Sequence, residues 1–156
     1  MLTHGHFDHT GAVDDLRCSL GMPALAHRLS PAYLMNPEMN LSAFCGCPAV
    51  VPGVLPLHDG DEIRLESRGD FSLHVRHVPG HTEDSILLYA KAGQLAFVGD
   101  TIFMGGIGTA QYPGGDPAAL KNSLLKTVFS LPEETLLLPG HGASTTVGGE
   151  KRRYAR

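Results

Sequence analysis

An α+β domain, a sheet with helices packed on one face, is the fold class the sequence predicts, and three observations predict it. Two segments alternate apolar and polar residues with period two, one later segment carries an apolar stripe at helical spacing, and the strands run into Gly-rich loops that bear His or Asp. Along the chain, Thr10 to Gly21 places Ala12, Val13, Leu16 and Leu20 at helical spacing and stops at a glycine, as a helix does. Pro23 to Ala26 reads as a brief strand, and Ser30 to Asn36 as a helix with Pro31 at its first position. Between Asn36 and Leu57, Pro37, Pro48, Pro52 and Pro56 stand among small residues and predict an irregular excursion that forms a surface rim. Ile63 and Leu65 alternate with Glu62, Arg64 and Glu66, giving a half-buried strand over 61–66. Phe71, Leu73, Val75 and His77 against Ser72, His74 and Arg76 give a second. Ser85 to Ala90 and Gln94 to Val98 flank Lys91-Ala92-Gly93, a hairpin with Gly in its turn. Asp116-Pro117 starts a helix whose Leu120, Leu124, Leu125, Val128 and Phe129 form a stripe up to Leu131-Pro132. Thr135 to Leu138 is a short buried strand that delivers Pro139-Gly140-His141-Gly142. No internal repeat interrupts this order, so residues 1–156 read as a single domain.

With 42% hydrophobic and 18% charged residues, the chain of 156 residues has the means to bury a core, which excludes fibrous and disordered classes. Its apolar runs fall far short of the roughly 20 residues that a bilayer span needs, which excludes a membrane-spanning helix. A net charge of −4 provides no basic field for nucleic acid. Three cysteines make no disulfide framework and fit a reducing, cytoplasmic compartment, and Met1-Leu2-Thr3-His4 does not read as a secretory leader. Nineteen glycines and nine histidines point to tight turns and to metal or proton chemistry.

Four loops carry that chemistry: His4-Gly5-His6-Phe7-Asp8-His9, Pro79-Gly80-His81-Thr82, Gly99-Asp100-Thr101 and Pro139-Gly140-His141-Gly142. Residues two apart in an extended segment project to the same side, so His4 and His6 can pinch one cation while Asp8 and His9 turn toward a neighbouring point. Imidazole suits zinc or iron, and the two oxygens of Asp100 can bridge cations roughly 3.5–4 Å apart. His27, His58, His74 and His77 read as core or surface residues, His77 on the inner face of its strand. Cys45-Gly46-Cys47 reads as free loop thiols and Lys151-Arg152-Arg153 as a solvated helix face.

Thr3 through Ala12, Pro79-Gly80-His81-Thr82, Gly99-Asp100-Thr101-Ile102-Phe103, and Leu131-Pro132 with Pro139-Gly140-His141-Gly142 occur complete and in order. On these motifs the sequence resembles the metallo-β-lactamase superfamily and, within it, the type II glyoxalase (hydroxyacylglutathione hydrolase) group. The resemblance runs from residue 3 to about 151. Asn40-Leu41-Ser42 and Thr145-Thr146-Val147-Gly148 are similar to the short bacterial members. It implies an αββα sandwich in which His4, His6 and His81 hold a first metal, Asp8, His9 and His141 a second, and Asp100 bridges them. Asp8 and Asp100 are the implied catalytic carboxylates. The implied cofactors are two divalent cations, zinc first, with iron or manganese as alternatives, and hydroxide between them attacks the carbonyl of a small-molecule thioester or ester. A thiolate with a pKa near 8.5 leaves without much protonation, which agrees with the lack of a further general acid. A mononuclear iron persulfide dioxygenase and a non-catalytic metal-binding fragment are the competing readings. Lactone and β-lactam hydrolysis rank below them, because the Gly99-Asp100-Thr101 loop resembles the glyoxalase group.

Three departures from that group carry expectations. Gly106, Thr109 and Gln111 replace its usual Ser, Arg and Asp after the bridging aspartate, which predicts a lost charge pair and weaker support of the site. Glu83 and Asp84 replace its usual Pro-Gly, which predicts two carboxylates near the first metal loop that discourage anionic substrates. Finally, Met1 stands two residues before the His-x-His motif and the C-terminal helical domain that holds glutathione has no counterpart. The expectation is therefore an N-terminally shortened, incomplete domain without the first strands of the N-terminal half and without glutathione specificity.

Overall fold

A computed structural model describes residues 1–65 and 67–154. Glu66, which the alternating pattern assigns to a strand, lies outside the described residues, as do Ala155 and Arg156. In chain order, α1 (Val13–Leu20) is followed by β1 (Leu25–His27), α2 (Pro31–Leu34) and β2 (Leu55–Leu57). Next come β3 (Glu62–Leu65), β4 (Arg68–His77), β5 (Ile86–Ala90), β6 (Leu95–Gly99) and the short pair β7 (Ile102–Phe103) and β8 (Gly106–Ile107). The chain then forms α3 (Pro117–Lys126), β9 (Leu136–Pro139), β10 (Thr145–Thr146) and α4 (Val147–Tyr154). Single 3-10 turns lie at Phe7–His9, Ser42–Cys45 and Val128–Ser130. Among the described residues no helix is long and apolar enough to cross a membrane.

Six strands form the main sheet in the order β10-β9-β6-β5-β4-β3, with β6 and β9 parallel and the other neighbours antiparallel. Strand β5 explains its own continuous apolar run. Leu87 packs on one face with Val98, Leu120, Leu124, Val128 and Leu137, under α3 and α4. Its neighbours Ile86 and Leu88 face the other way, onto Val75 and onto Leu57 of β2. The sheet is therefore covered on both faces rather than one, because the parallel pair β1–β2 closes the second. A third cluster, Leu2, Val13, Ala24, Ala26, Leu34 and Val51, lies under α1 and α2.

Local sequence accounts for the elements and also for the differences from expectation. The Asp116 carboxylate accepts from the Ala118 and Ala119 amides at 2.8 and 3.1 Å, and Pro117 occupies the first helical position, so α3 starts where its cap dictates. It is shorter than the stripe implies, ending at Lys126 before a 3-10 turn. Within the stripe, Leu120, Leu124, Val128 and Phe129 are buried, whereas Leu125 is 50% exposed. In α1 only Val13 is buried, and Leu16 and Leu20 stand in solvent. The residue in left-handed conformation at the β5–β6 turn is Gln94 (φ 47°), not Gly93. The proline-rich excursion holds both the 3-10 turn at Ser42–Cys45 and strand β2, which pairs through the register Leu25–Leu55.

His27 and His77 pin the small sheet to the large one, with rings stacked at 4.2 Å and the His77 Nε2 donating to the Glu83 carbonyl at 2.7 Å. Burial, reinforced by the His77 ring, lowers the His27 pKa to about 4. Between that value and an ordinary 6.5, the unfolded chain binds a proton that the folded chain refuses. The stability so contributed is complete above pH 6.5 and is lost as pH falls toward 4. Urea titration of metal-free protein is expected to give a steeper loss of stability over this window for the natural chain than for His27→Gln. Equal slopes would remove His27 as a contributor.

Candidate metal centre

Topology alone gathers the four loops. Strand β5 runs antiparallel to both β4 and β6, and β9 runs parallel to β6, so the C-terminal ends of β4, β6 and β9 share one end of the sheet. His81, Asp100 and His141 follow those three ends. The His4–His9 segment joins them because the Ile86 amide at the start of β5 donates to the Thr3 carbonyl at 2.8 Å, and the Phe7 amide donates to the Asn40 carbonyl at 2.9 Å.

All seven residues singled out by the sequence meet there, in three overlapping groups whose donor atoms lie within 4.8 Å of one another: His4, His6 and His81; His4, His9 and Asp100; Asp8, His9 and His141. His6 Nδ1 is approached by His4 Nε2 at 3.2 Å and by His81 Nε2 at 3.0 Å. Asp100 faces three imidazoles: His9 Nε2 at 3.4 Å, His141 Nε2 at 3.5 Å and His81 Nε2 at 3.7 Å. Asp8 closes the outer side, 3.1 Å from His141 Nε2 and 3.5 Å from His9 Nε2. The other histidines, His27, His58, His74 and His77, belong to none of the three groups.

The donors are held from behind. His81 Nδ1 donates to the Thr109 carbonyl at 2.7 Å, which leaves its Nε2 lone pair turned to the cluster, and the Thr3 hydroxyl meets His4 Nδ1 at 3.3 Å. Because the support of His81 comes from the main chain, replacing an arginine by Thr109 does not remove it. Burial, followed by the neighbouring imidazoles, holds His4 well below its ordinary pKa, and burial with His81 lowers His6 to about 4. Burial opposes the charge on both His9 and Asp100, yet their mutual attraction prevails, raising the imidazole and lowering the carboxyl. Neutral imidazoles and an ionised carboxylate are the forms that bind a cation.

A divalent metal fits this donor set. His6 Nε2, His9 Nε2 and Asp100 Oδ1 are buried without a hydrogen-bond partner, and converging imidazole and carboxylate donors are the ligands of zinc and iron sites. The cradle is also tight. A Cβ on Gly140 would run into Asp100 Oδ1 and His9 Cε1. Gly140→Ala is therefore expected to reduce cobalt affinity by roughly 10–100-fold, the range for disturbed ligand support, in an optical titration of the metal-free protein. Unchanged affinity would show that the loop gives way.

Of the two carboxylates expected near the first metal loop, Asp84 does lie against it, its Oδ2 beside Gly5 between His4 and His6, but it stays outside the site cavity. Asp84 is fully buried, turned inward to accept from the Ser30 hydroxyl at 2.6 Å, and burial raises its pKa. Glu83 is exposed and lines a separate hollow with Pro79, Gly80 and Asp116. The walls of the site cavity include Phe7, Leu41, Phe44, Phe103, Tyr112 and Pro113; the excursion over 36–57, expected to form a rim, supplies Leu41 and Phe44, but none of these residues was assigned to the site from sequence. Phe7 and Phe103 sat inside quoted motifs, whereas Phe44 and Tyr112 occupy irregular loops where no periodicity marks them.

Comparison with known proteins follows the same lines. Probable metallo-hydrolase YqgX of Bacillus subtilis is 36% identical over 149 residues, covering 94% of this chain and 69% of its own. Hydroxyacylglutathione hydrolase GloC of Haemophilus influenzae is 32% identical over 155 residues, covering 97% and 72%. Among solved structures, BLEG-1 B3 metallo-beta-lactamase superposes with a TM-score of 0.89 at 33% identity, covering 96% of this chain and 72% of that one. TTHA1623 in a di-iron-bound form gives 0.82 at 39%, covering 97% and 73%. The sequence profile of the metallo-beta-lactamase superfamily matches residues 1–141, and with the αββα layering already described, the chain belongs to that superfamily.

Proposed function

We propose that this protein is a metal-dependent hydrolase of thioesters or related small esters, working at a two-metal centre. The observation that carries the proposal is Asp100, whose carboxylate lies 3.4–3.7 Å from His9, His81 and His141 and so touches both the buried and the outer ligand groups. His4, His6 and His81 would hold one cation, Asp8, His9 and His141 the other, with Asp100 between them. Two divalent cations in such a site supply a water acidified toward neutral pH and a Lewis acid for the substrate carbonyl. The chain's own part is to keep His4 and His6 unprotonated by burial, to keep Asp100 ionised, and to orient His81 through the Thr109 carbonyl. Asp8 stands at the cavity wall beside His141, where a carboxylate can hold a proton released during the reaction. A thiolate leaving group needs no dedicated acid. The hydroxyacylglutathione hydrolase relative supports a thioester as the first substrate to try, and the di-iron-bound neighbour supports testing iron beside zinc.

Turnover of a chromogenic thioester by metal-loaded protein is the test. Chelation is expected to abolish it, and zinc, iron or manganese to restore it. Fully loaded protein that hydrolyses no thioester, ester or lactone would overturn the proposal.

A further inference from the structure

Above the metal-ligand cluster lies a cavity of about 650 Å³, within the roughly 300–1,000 Å³ that encloses a small ligand. Its floor includes His6, Asp8, His81, Asp100 and His141, and its walls are largely apolar. One wall is built with unusual care. Buried Asn40 and Ser42 stitch the 40–49 loop: the Asn40 amide donates to the Ala49 carbonyl at 2.9 Å, its side-chain oxygen accepts from the Ser42 amide at 2.9 Å, and the Ser42 hydroxyl accepts from the Ala49 amide at 2.9 Å. Between them Leu41 is held at φ 71°, a left-handed conformation that costs a branched side chain of order 1 kcal/mol or more. Two residues beyond Ser42, Phe44 is left 73% exposed at the cavity rim. A strained leucine and an exposed phenylalanine, held by these hydrogen bonds at the rim of an apolar-walled cavity, mark the loop as a place for a ligand. Opposite stand Phe103 and Tyr112, and the Tyr112 ring lies edge-on to His6 at 5.8 Å, within reach of whatever occupies the floor.

We propose that Leu41, Phe44, Phe103 and Tyr112 form an acyl-binding wall that takes an apolar alkyl or aryl acyl group and sets the enzyme's preference for it. The specificity assignment rests on the hydrolase reading, but its test does not depend on turnover. Binding of straight-chain carboxylates from acetate to octanoate to the zinc-loaded protein, followed by titration calorimetry, is expected to tighten about fourfold per methylene, the increment for burying one CH₂. Phe44→Ala, at an exposed position where folding is not at stake, is expected to flatten that series, whereas Leu125→Ala, exposed on α3 and outside this cavity, leaves it as it was. Octanoate binding no more tightly than acetate, or a full series retained in Phe44→Ala, would overturn the proposal. The same chain-length series of N-acetylcysteamine thioesters separates the two claims. A binding trend without turnover keeps the acyl wall and removes the hydrolase. Turnover that is indifferent to chain length, with no binding trend, does the reverse.

Discussion

Replacing Asp100 by Ala is expected to empty part or all of the metal site and to cut turnover by on the order of 10³-fold, the equivalent of several kcal/mol of lost transition-state stabilisation. The expectation follows from position. Asp100 is the carboxylate that lies close to His9, His81 and His141 at once, and its removal leaves His9 without the charge that raises its pKa. Metal content by elemental analysis and kcat for a thioester check the two halves separately. Asp100→Asn, which keeps the shape and loses the charge, shows whether charge or bulk is needed. Retention of both metals and rate in Asp100→Ala would sink the bridging role.

Leu87→Ala is expected to be the most damaging of the simple core truncations. Leu87 is fully buried at the middle of the main sheet, packed with Val98, Leu124 and Leu137, and it can be replaced only by a cavity. Losses at such sites run to about 2–5 kcal/mol, which for a chain of this length lowers Tm by roughly 10 °C. Leu125→Ala on α3, exposed by contrast, is expected to fall within about 0.5 kcal/mol. Calorimetry of the metal-free protein measures both, and similar losses would show that the assignment of the buried face of α3 is wrong.

The site was more legible in the sequence than the fold that carries it. Four motifs with Gly beside His or Asp named the seven residues that come together, because tight approach needs glycine and cation binding needs those donors. Helix α3 announced itself through Asp116-Pro117. What the sequence left hidden depends on partners that are distant in the chain. Leu125, Leu16 and Leu20 fit a helical period, but only the position of the sheet decides that they face water. Strands β1 and β2 are three residues each, too short to show a period, so the residue pattern alone indicated one covered face and the second was legible only through the family resemblance. Asp84 lies against the His4–His6 loop as its position predicts, but burial beside Ser30, a partner distant in the chain, keeps it out of the cavity. Phe44 and Tyr112 lie in loops, where an aromatic residue gives no local sign of whether it meets solvent, core or ligand.

The central claim is that these seven residues form one two-metal centre, and metal stoichiometry tests it most directly. Protein reconstituted with excess zinc or iron and freed of unbound ions is expected to retain two ions per chain, one of them lost with Asp8→Ala. A single ion per chain under either metal, unaffected by replacement of Asp8, would contradict the account and favour mononuclear chemistry instead.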